Sequence, residues 1–260
     1  ATASLRASDY YEVVVVERPR LSSLQLVVKP PEYSGLPERE LPRGQGNVRA
    51  LAGSTVQCSA IASKVLSRAD LSVGEKLPPV ALNGREFSAS FVVSENGQYT
   101  ISLADSEGFP SASPAKYRIT VVKDNRPRVK LERPVTSEKA IAEGAFRLKG
   151  VISDDYGIAQ ATARIEVQNS DIEPFAVPLS SDEPGRSVAF DEVIRLGDIG
   201  LEAGDALLVT VTASDRRPEP GVVNTDAVIV RIVHPHELLQ ELVDLVTNAK
   251  RVIESAEKFE

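Results

Sequence analysis

Tryptophan and methionine are absent from the 260 residues, histidine occurs twice, cysteine once, and aromatic residues make up 5%. A lone Cys58 cannot close an internal disulfide, so cysteine usage points to no redox compartment. On the core-facing side of a strand it reads as a small inert hydrophobe. His234 and His236 share one junction, which leaves a serine–histidine arrangement without a base elsewhere in the chain. As metal ligands they would have only Glu237 and Asp244 nearby, at poor spacing. The shortage of aromatic platforms weighs against sugar-binding modules and two-carboxylate glycosidases.

Long runs are missing too. No apolar stretch exceeds four residues, whereas a membrane-spanning helix needs roughly 20. No basic segment followed by an apolar one marks a signal peptide. The opening Ala-Thr-Ala-Ser, without methionine, suggests a piece excised from a longer protein. Thirty lysines and arginines against 37 acidic residues give a net charge of −7. With no basic face for phosphates, nucleic acid is not an expected partner. Gly44-Gln45-Gly46 lacks the third glycine and the strand-turn-helix setting of a phosphate cradle. No catalytic, cofactor-binding or metal-binding residue is therefore assigned, and no cofactor is expected.

What is present is a core and a repeat. Hydrophobic residues reach 42%, ample for burial, and the length fits two modest domains at roughly 150 residues each. Pro19, Pro127 and Pro235 are spaced by 108 residues each time. Each follows a valine- or isoleucine-rich run: Val13 to Val16, Ile119 to Val122, Val228 to Val233. These prolines mark where one unit ends and the next begins. The resulting division is a terminal strand or approach over 1–19, one sandwich over 20–125, a second over 126–234, and a helix over 235–260. The first ten residues carry no further assignment.

Within both units the apolar period is two, the signature of strands with one buried face. In the first the inward residues are Leu24, Leu26, Val28; Val56, Cys58, Ala60, Ala62; Phe87, Ala89, Phe91, Val93; Tyr99, Ile101, Leu103; and Tyr117, Ile119, Val121. The second gives Phe146, Leu148, Ile152; Ala163, Ile165, Val167; Val188, Phe190; Leu207, Val209, Val211, Ala213; and Val228, Val230, Ile232. Turn signals at Asn83-Gly84, Asn96-Gly97, Pro184-Gly185 and Glu202-Ala203-Gly204-Asp205 separate them. About seven short strands per unit, with no helical period between them, predict an all-β fold of two tandem immunoglobulin-like sandwiches. Tyr99, two residues before Ile101, has the spacing of the tyrosine corner, with Cys58 where the first disulfide cysteine would stand.

Past Pro235 the period changes. Leu238, Leu242, Leu245, Ala249, Val252, Ala256 and Phe259 follow a 4-3-4-3-4-3 spacing, a heptad seam. Proline in the first turn with Glu237 beside it suits a helix start. A coiled-coil start near 236, continuing beyond Glu260, is expected.

Acidic residues gather at the join of the units: Asp124-Asn125, Ser153-Asp154-Asp155-Tyr156-Gly157, and Ser214-Asp215. The loops after the second and sixth strands of a sandwich share one end, so these carboxylates can converge. Arg126, Arg128, Arg216 and Arg217 lie within a few residues and favour salt bridges that stiffen the join. The alternative is calcium, which takes six to eight oxygens; Lys123-Asp124-Asn125-Arg126-Pro127 is loosely similar to the linker of cadherin repeats. Asp105 is taken as the first unit's equivalent of the Asp154-Asp155 loop, which points to a structural role.

Tyr11 to Val16 with Glu17-Arg18-Pro19-Arg20, Pro30-Pro31-Glu32-Tyr33-Ser34-Gly35-Leu36, Ala50 to Val56, Ser153 to Ile158 and Val230 to Leu239 together carry a family likeness. The chain resembles an uncharacterised bacterial family, a domain of unknown function in large membrane-anchored proteins with extracytoplasmic immunoglobulin-like repeats and a long coiled coil. That resemblance implies an extracytoplasmic setting and a membrane anchor outside these residues, and it brings no catalytic residues. The expected function is a non-enzymatic spacer carrying a coiled-coil segment, semi-rigid, with a protein partner or self-association through the C-terminal helix. The alternative is a calcium-dependent adhesion or ligand-binding module.

Overall fold

A computed structural model describes residues 15–179 and 185–256. The first half of the Val13–Val16 run, Pro184 and Phe259 lie outside the described residues. The chain divides into two compact units, Ala1–Glu32 with Leu36–Lys123, and Tyr33–Gly35 with Asp124–Glu260. Both are immunoglobulin-like β-sandwiches, and a C-terminal helix follows the second.

In the first unit the strands are β1 (Leu21–Lys29), β2 (Arg39–Glu40), β3 (Val48–Leu51), β4 (Thr55–Ala62), β5 (Leu66–Val73), β6 (Val80–Asn83), β7 (Glu86–Val92), β8 (Gly97–Asp105) and β9 (Ala115–Val122). One sheet has the order β2-β1-β4-β7-β6 and the other β3-β9-β8-β5. Inward residues line up across strands: Leu26 faces Cys58 and Cys58 faces Ala89, while Leu24 faces Ala60 and Ala60 faces Phe87. Large side chains alternate with small ones, which lets opposing layers interdigitate at close-packed density. The Cys58 thiol is buried in this core, and burial pushes its pKa up to about 11. A thiol so disfavoured as thiolate is a poor nucleophile.

The second unit contains β10 (Arg128–Arg133), β11 (Ser137–Ala140), β12 (Ala145–Ser153), β13 (Ile158–Val167), β14 (Phe175–Pro178), β15 (Ser187–Arg195), β16 (Ala206–Asp215), β17 (Val222–Asn224) and β18 (Val228–Ile232). Its sheets run β10-β12-β15 and β11-β18-β16-β13-β14, with β17 added on β16. Both units repeat one device: a short strand, β3 or β11, leaves the first sheet to pair in parallel with the last strand of the other. The strands exceed the seven expected per unit because β2, β3, β6, β11, β14 and β17 have only two to four residues. Such lengths are too short to show a period. Every inward residue expected from the alternation is buried except Tyr117 and Val121, which are half-buried on β9.

The fourth strand distinguishes the units. Asn83 pairs with Glu86 across a two-residue turn in which Gly84 has φ of +60°. A turn this tight fixes β6 to the next strand, β7. In the second unit β14 pairs backwards onto β13, with Pro178 on the sheet edge where no ladder donor is lost.

The Tyr99 hydroxyl donates to the Gly46 carbonyl at 2.6 Å, 53 residues earlier in the chain. A tyrosine corner bonds backbone a few residues upstream, so the expected corner is replaced by a tie from core to loop. The reason is the inward position of Tyr99, fully buried with its ring 5.2 Å from those of Phe91 and Tyr117. Gly46 owes its identity to the same packing: a Cβ there would stand 2.0 Å from the Tyr117 ring. Removing the hydroxyl leaves the Gly46 carbonyl buried and unpaired. Tyr99→Phe is expected to lower stability by about 1–3 kcal/mol with an unchanged m-value in urea unfolding.

Candidate functional site

The inward rows of β8 and β16 do not end in apolar residues. Tyr99, Ile101 and Leu103 are followed by Asp105, and Leu207, Val209, Val211 and Ala213 by Asp215. Both aspartates are buried, at 2% and 1% exposure. A carboxylate there must be fully hydrogen-bonded. Asp105 Oδ1 accepts from the amides of Glu107 at 3.1 Å and Phe109 at 2.9 Å, and Oδ2 from Lys64 Nζ at 3.1 Å. Asp215 Oδ1 accepts from the amides of Arg217 at 3.1 Å and Gly221 at 3.0 Å, and Oδ2 from the Arg217 guanidinium. Burial works to raise both acids, but these donors outweigh it and hold each carboxyl below the usual range. Gly221 is required here, since a Cβ would lie 2.5 Å from Asp215 Oδ2 and closer still to Arg217.

Asp215 is therefore the counterpart of Asp105, which corrects the equivalence expected with Asp154-Asp155. What differs is the source of the opposing charge. In the first unit the β4–β5 loop supplies Lys64. The matching β12–β13 loop of the second unit supplies Asp154 and Asp155, and the cation comes instead from Arg217, two residues beyond Asp215.

Asp154 Oδ2 accepts from the amides of Tyr156 at 2.9 Å and Gly157 at 2.8 Å, the local bonding common to aspartate before glycine. Gly157 has φ of +122°, a conformation that disfavours other residues. Exposed Asp155 accepts from Asn125 Nδ2 at 2.6 Å. Asp124 is buried with Arg217 Nε 3.8 Å from its Oδ2. Of the four arginines expected to pair with these acids, Arg217 alone does so among the described residues. Arg216 turns its Nε to the Ile158 carbonyl at 3.4 Å, and the Arg126 side chain packs beside Gly221.

The second candidate surface is α1 (Pro235–Ala256). It starts at the expected proline, and its first turn is closed by the His234 carbonyl accepting from the Glu237 amide at 3.0 Å. His234 and His236 are exposed and stack at 5.4 Å. Among the described residues they belong to no group of three or more histidine, cysteine or acidic residues that could hold a metal. Leu242 and Leu245 of the seam are 55% and 67% exposed, and Leu238 is half-buried. A second row was not anticipated: Leu239, Val246 and Ile253 are also exposed. They recur every seven residues, one position after the seam, so the heptad is apolar at a, d and e. That signal stood in the sequence, one residue off the seam. Lys139 of β11 pairs with Glu241 and ties the helix start to its sandwich.

The sequence profile of a domain of unknown function, DUF4175, matches residues 8–190. No curated protein matches the chain. Among solved structures it is similar to fibronectin(III)-like modules of Clostridium thermocellum CbhA, at 16% identity over 73% of this chain and 91% of that one, TM-score 0.29. It is also similar to the fragment Rst D1-D2, at 12% identity over 83% of this chain and 100% of that one, TM-score 0.30. The Escherichia coli adhesin FdeC gives 12% identity over 73% and 62%, TM-score 0.29. Likenesses this distant say nothing of a ligand or partner.

Asp215 supports the fold through a depressed pKa, so its contribution is present above the unfolded-state pKa and disappears as pH falls through the folded value. Asp215→Asn is expected to destabilise the second unit by about 3 kcal/mol at pH 7. The gap between wild type and variant in urea unfolding should narrow below about pH 4; a gap independent of pH would contradict the assignment.

Proposed function

The chain belongs to the DUF4175 family, a domain of unknown function, and from that premise we propose that it is a non-enzymatic interaction module. In this reading two sandwiches act as a spacer that carries a self-associating helix, on the extracytoplasmic side of a membrane-anchored bacterial protein. The observation that carries it is the exposed apolar face of α1, which leaves Leu239, Leu242, Val243, Leu245, Val246 and Ile253 in water. Monomeric proteins seldom leave an apolar surface of this extent uncovered.

The occupant proposed for this face is a second copy of the same helix. A 4-3 spacing is self-complementary, because its knobs meet holes of the same spacing. Charge supports an antiparallel pair: Glu237, Glu241 and Asp244 lie in the first half of the helix with no lysine or arginine, while Lys250 and Arg251 outnumber Glu254 in the second. Apolar e positions widen the face beyond a two-stranded seam and suit a bundle of helices. The 22 residues extend about 33 Å at roughly 1.5 Å each. A non-enzymatic role is supported by the Cys58 thiol, which burial disfavours as the reactive thiolate.

Static light scattering over a concentration series tests this. Mass should rise with concentration by mass action, and Leu242→Asp with Leu245→Asp should keep the chain monomeric. Both side chains are more than half exposed, so the double variant should melt at the wild-type temperature. A wild-type mass that stays monomeric, or a variant that associates equally well, would overturn the self-pairing.

A further inference from the structure

In the first unit the edge strands β2 and β3 and the adjoining β9 border a recess of about 540 Å³. Arg39 of β2, Arg49 of β3, and Lys116 and Arg118 of β9 line it, and no aspartate or glutamate does. Register brings them together. Arg49 stands beside Thr120 across the parallel β3–β9 ladder. Arg118 and Lys116 follow Thr120 at two-residue steps on the same exposed face, roughly 7 Å apart. The Arg39 guanidinium reaches across to the Arg49 carbonyl, with Nη2 at 2.9 Å. Among the described residues none of the four has an ion-pair partner. Acids close by are committed elsewhere: Glu38 pairs with Lys29 at 3.3 Å, Asp70 with Arg68 at 2.8 Å, and Glu40 lines a separate recess with Arg43.

The sandwich plan does not require this clustering. In the second unit the corresponding strands, β11 and β18, carry Glu138, Lys139 and Arg231, and Lys139 is neutralised by Glu241. Neighbouring like charges on a sheet repel one another, so the cations of the first unit weaken the fold until a counter-charge joins them. The loop beside the recess is also fastened in place. Tyr99 bonds the Gly46 carbonyl, Tyr117 packs against Gly46, and Asn47 Oδ1 accepts from the Arg118 amide at 2.9 Å. A site held in shape before binding loses less freedom when a ligand arrives.

We propose that this recess binds a multiply charged phosphate group, with Arg39, Arg49, Lys116 and Arg118 supplying the counter-charge. Guanidinium forks fit phosphate oxygens bidentately, and lysine adds a point charge; four cations exceed what a single carboxylate neutralises. A cleft lined by one sign of charge concentrates its counter-ion, even on a chain whose net charge is −7. The volume is that of a small-molecule site, roughly 300–1,000 Å³, and falls short of the long basic face that nucleic acid needs. No basic run marks the site in the sequence, because its cations come from three separate strands. The phosphate is either free in solution or part of a lipid headgroup, and the site is independent of self-association through α1.

Isothermal titration calorimetry of the full chain at low ionic strength, with pyrophosphate as the probe, tests this. Saturable binding is expected, weakening as sodium chloride is added. Arg49→Gln and Arg118→Gln should each weaken it about tenfold, the worth of one charge-assisted hydrogen bond. Both side chains are exposed, so these variants should melt at or above the wild-type temperature as repulsion is relieved. Leu242→Asp with Leu245→Asp should bind as the wild type does, which separates this site from the helix pairing. Co-sedimentation with phosphatidylcholine vesicles containing phosphatidic acid distinguishes the sources. Capture that Arg118→Gln abolishes assigns the phosphate to a lipid headgroup; pyrophosphate binding without capture assigns it to a soluble ligand. Absence of saturable pyrophosphate binding, equal affinity for citrate, or wild-type affinity in both arginine variants would overturn the proposal.

Discussion

In each unit one row of side chains per strand faces inward, and the hydrophobic effect acts on that row at roughly 25 cal/mol per Å² of apolar surface removed from water. A slip of one residue would turn Leu26, Cys58 and Ala89, or Leu207, Val209 and Val211, out to solvent, so register is fixed by burial. The aspartates inherit their positions from this constraint. Asp105 and Asp215 occupy the last inward place of β8 and β16. Their burial follows from strand register, and their hydrogen bonds follow from burial. The loops Glu107–Phe109 and Arg217–Gly221 are folded around those carboxylates.

The two sandwiches use the same plan with two departures. A tight turn at Gly84-Arg85 commits β6 to β7, whereas β14 pairs with β13. The second departure is electrostatic: the loop that carries Lys64 in the first unit carries Asp154 and Asp155 in the second. Arg217 satisfies Asp215 and also stands 3.8 Å from Asp124, while Asp154 is held by the amides of its own loop.

The helix follows a different rule from the sandwiches. Its apolar residues are not drained into either core; they stand in water along one broad face, while Lys139 and Glu241 fix only its first turns. A helix of 22 residues gains most of its stability from covering such a face, so the exposed rows at a, d and e are the feature that most needs a partner.

The sequence alone determined the all-β character, the two units, the inward rows and the helix beginning at Pro235, because each is written in a local period or in a proline that stops a strand. It also held Asp105 and Asp215 on those rows and Leu239, Val246 and Ile253 beside the seam, signals visible once the period is followed one step further. The tertiary structure alone decided that Tyr99 bonds Gly46, that Arg217 rather than Arg126, Arg128 or Arg216 neutralises Asp215, and that the same arginine reaches Asp124. Tyr99 and Gly46 stand 53 residues apart and Arg217 and Asp124 93 apart, and although Arg217 and Asp215 are only two apart, local spacing does not show which of the neighbouring arginines turns inward. Periodicity shows which face of a strand is buried, but a hydrogen bond depends on which atoms from distant loops meet there, and only the packed sandwich brings them together.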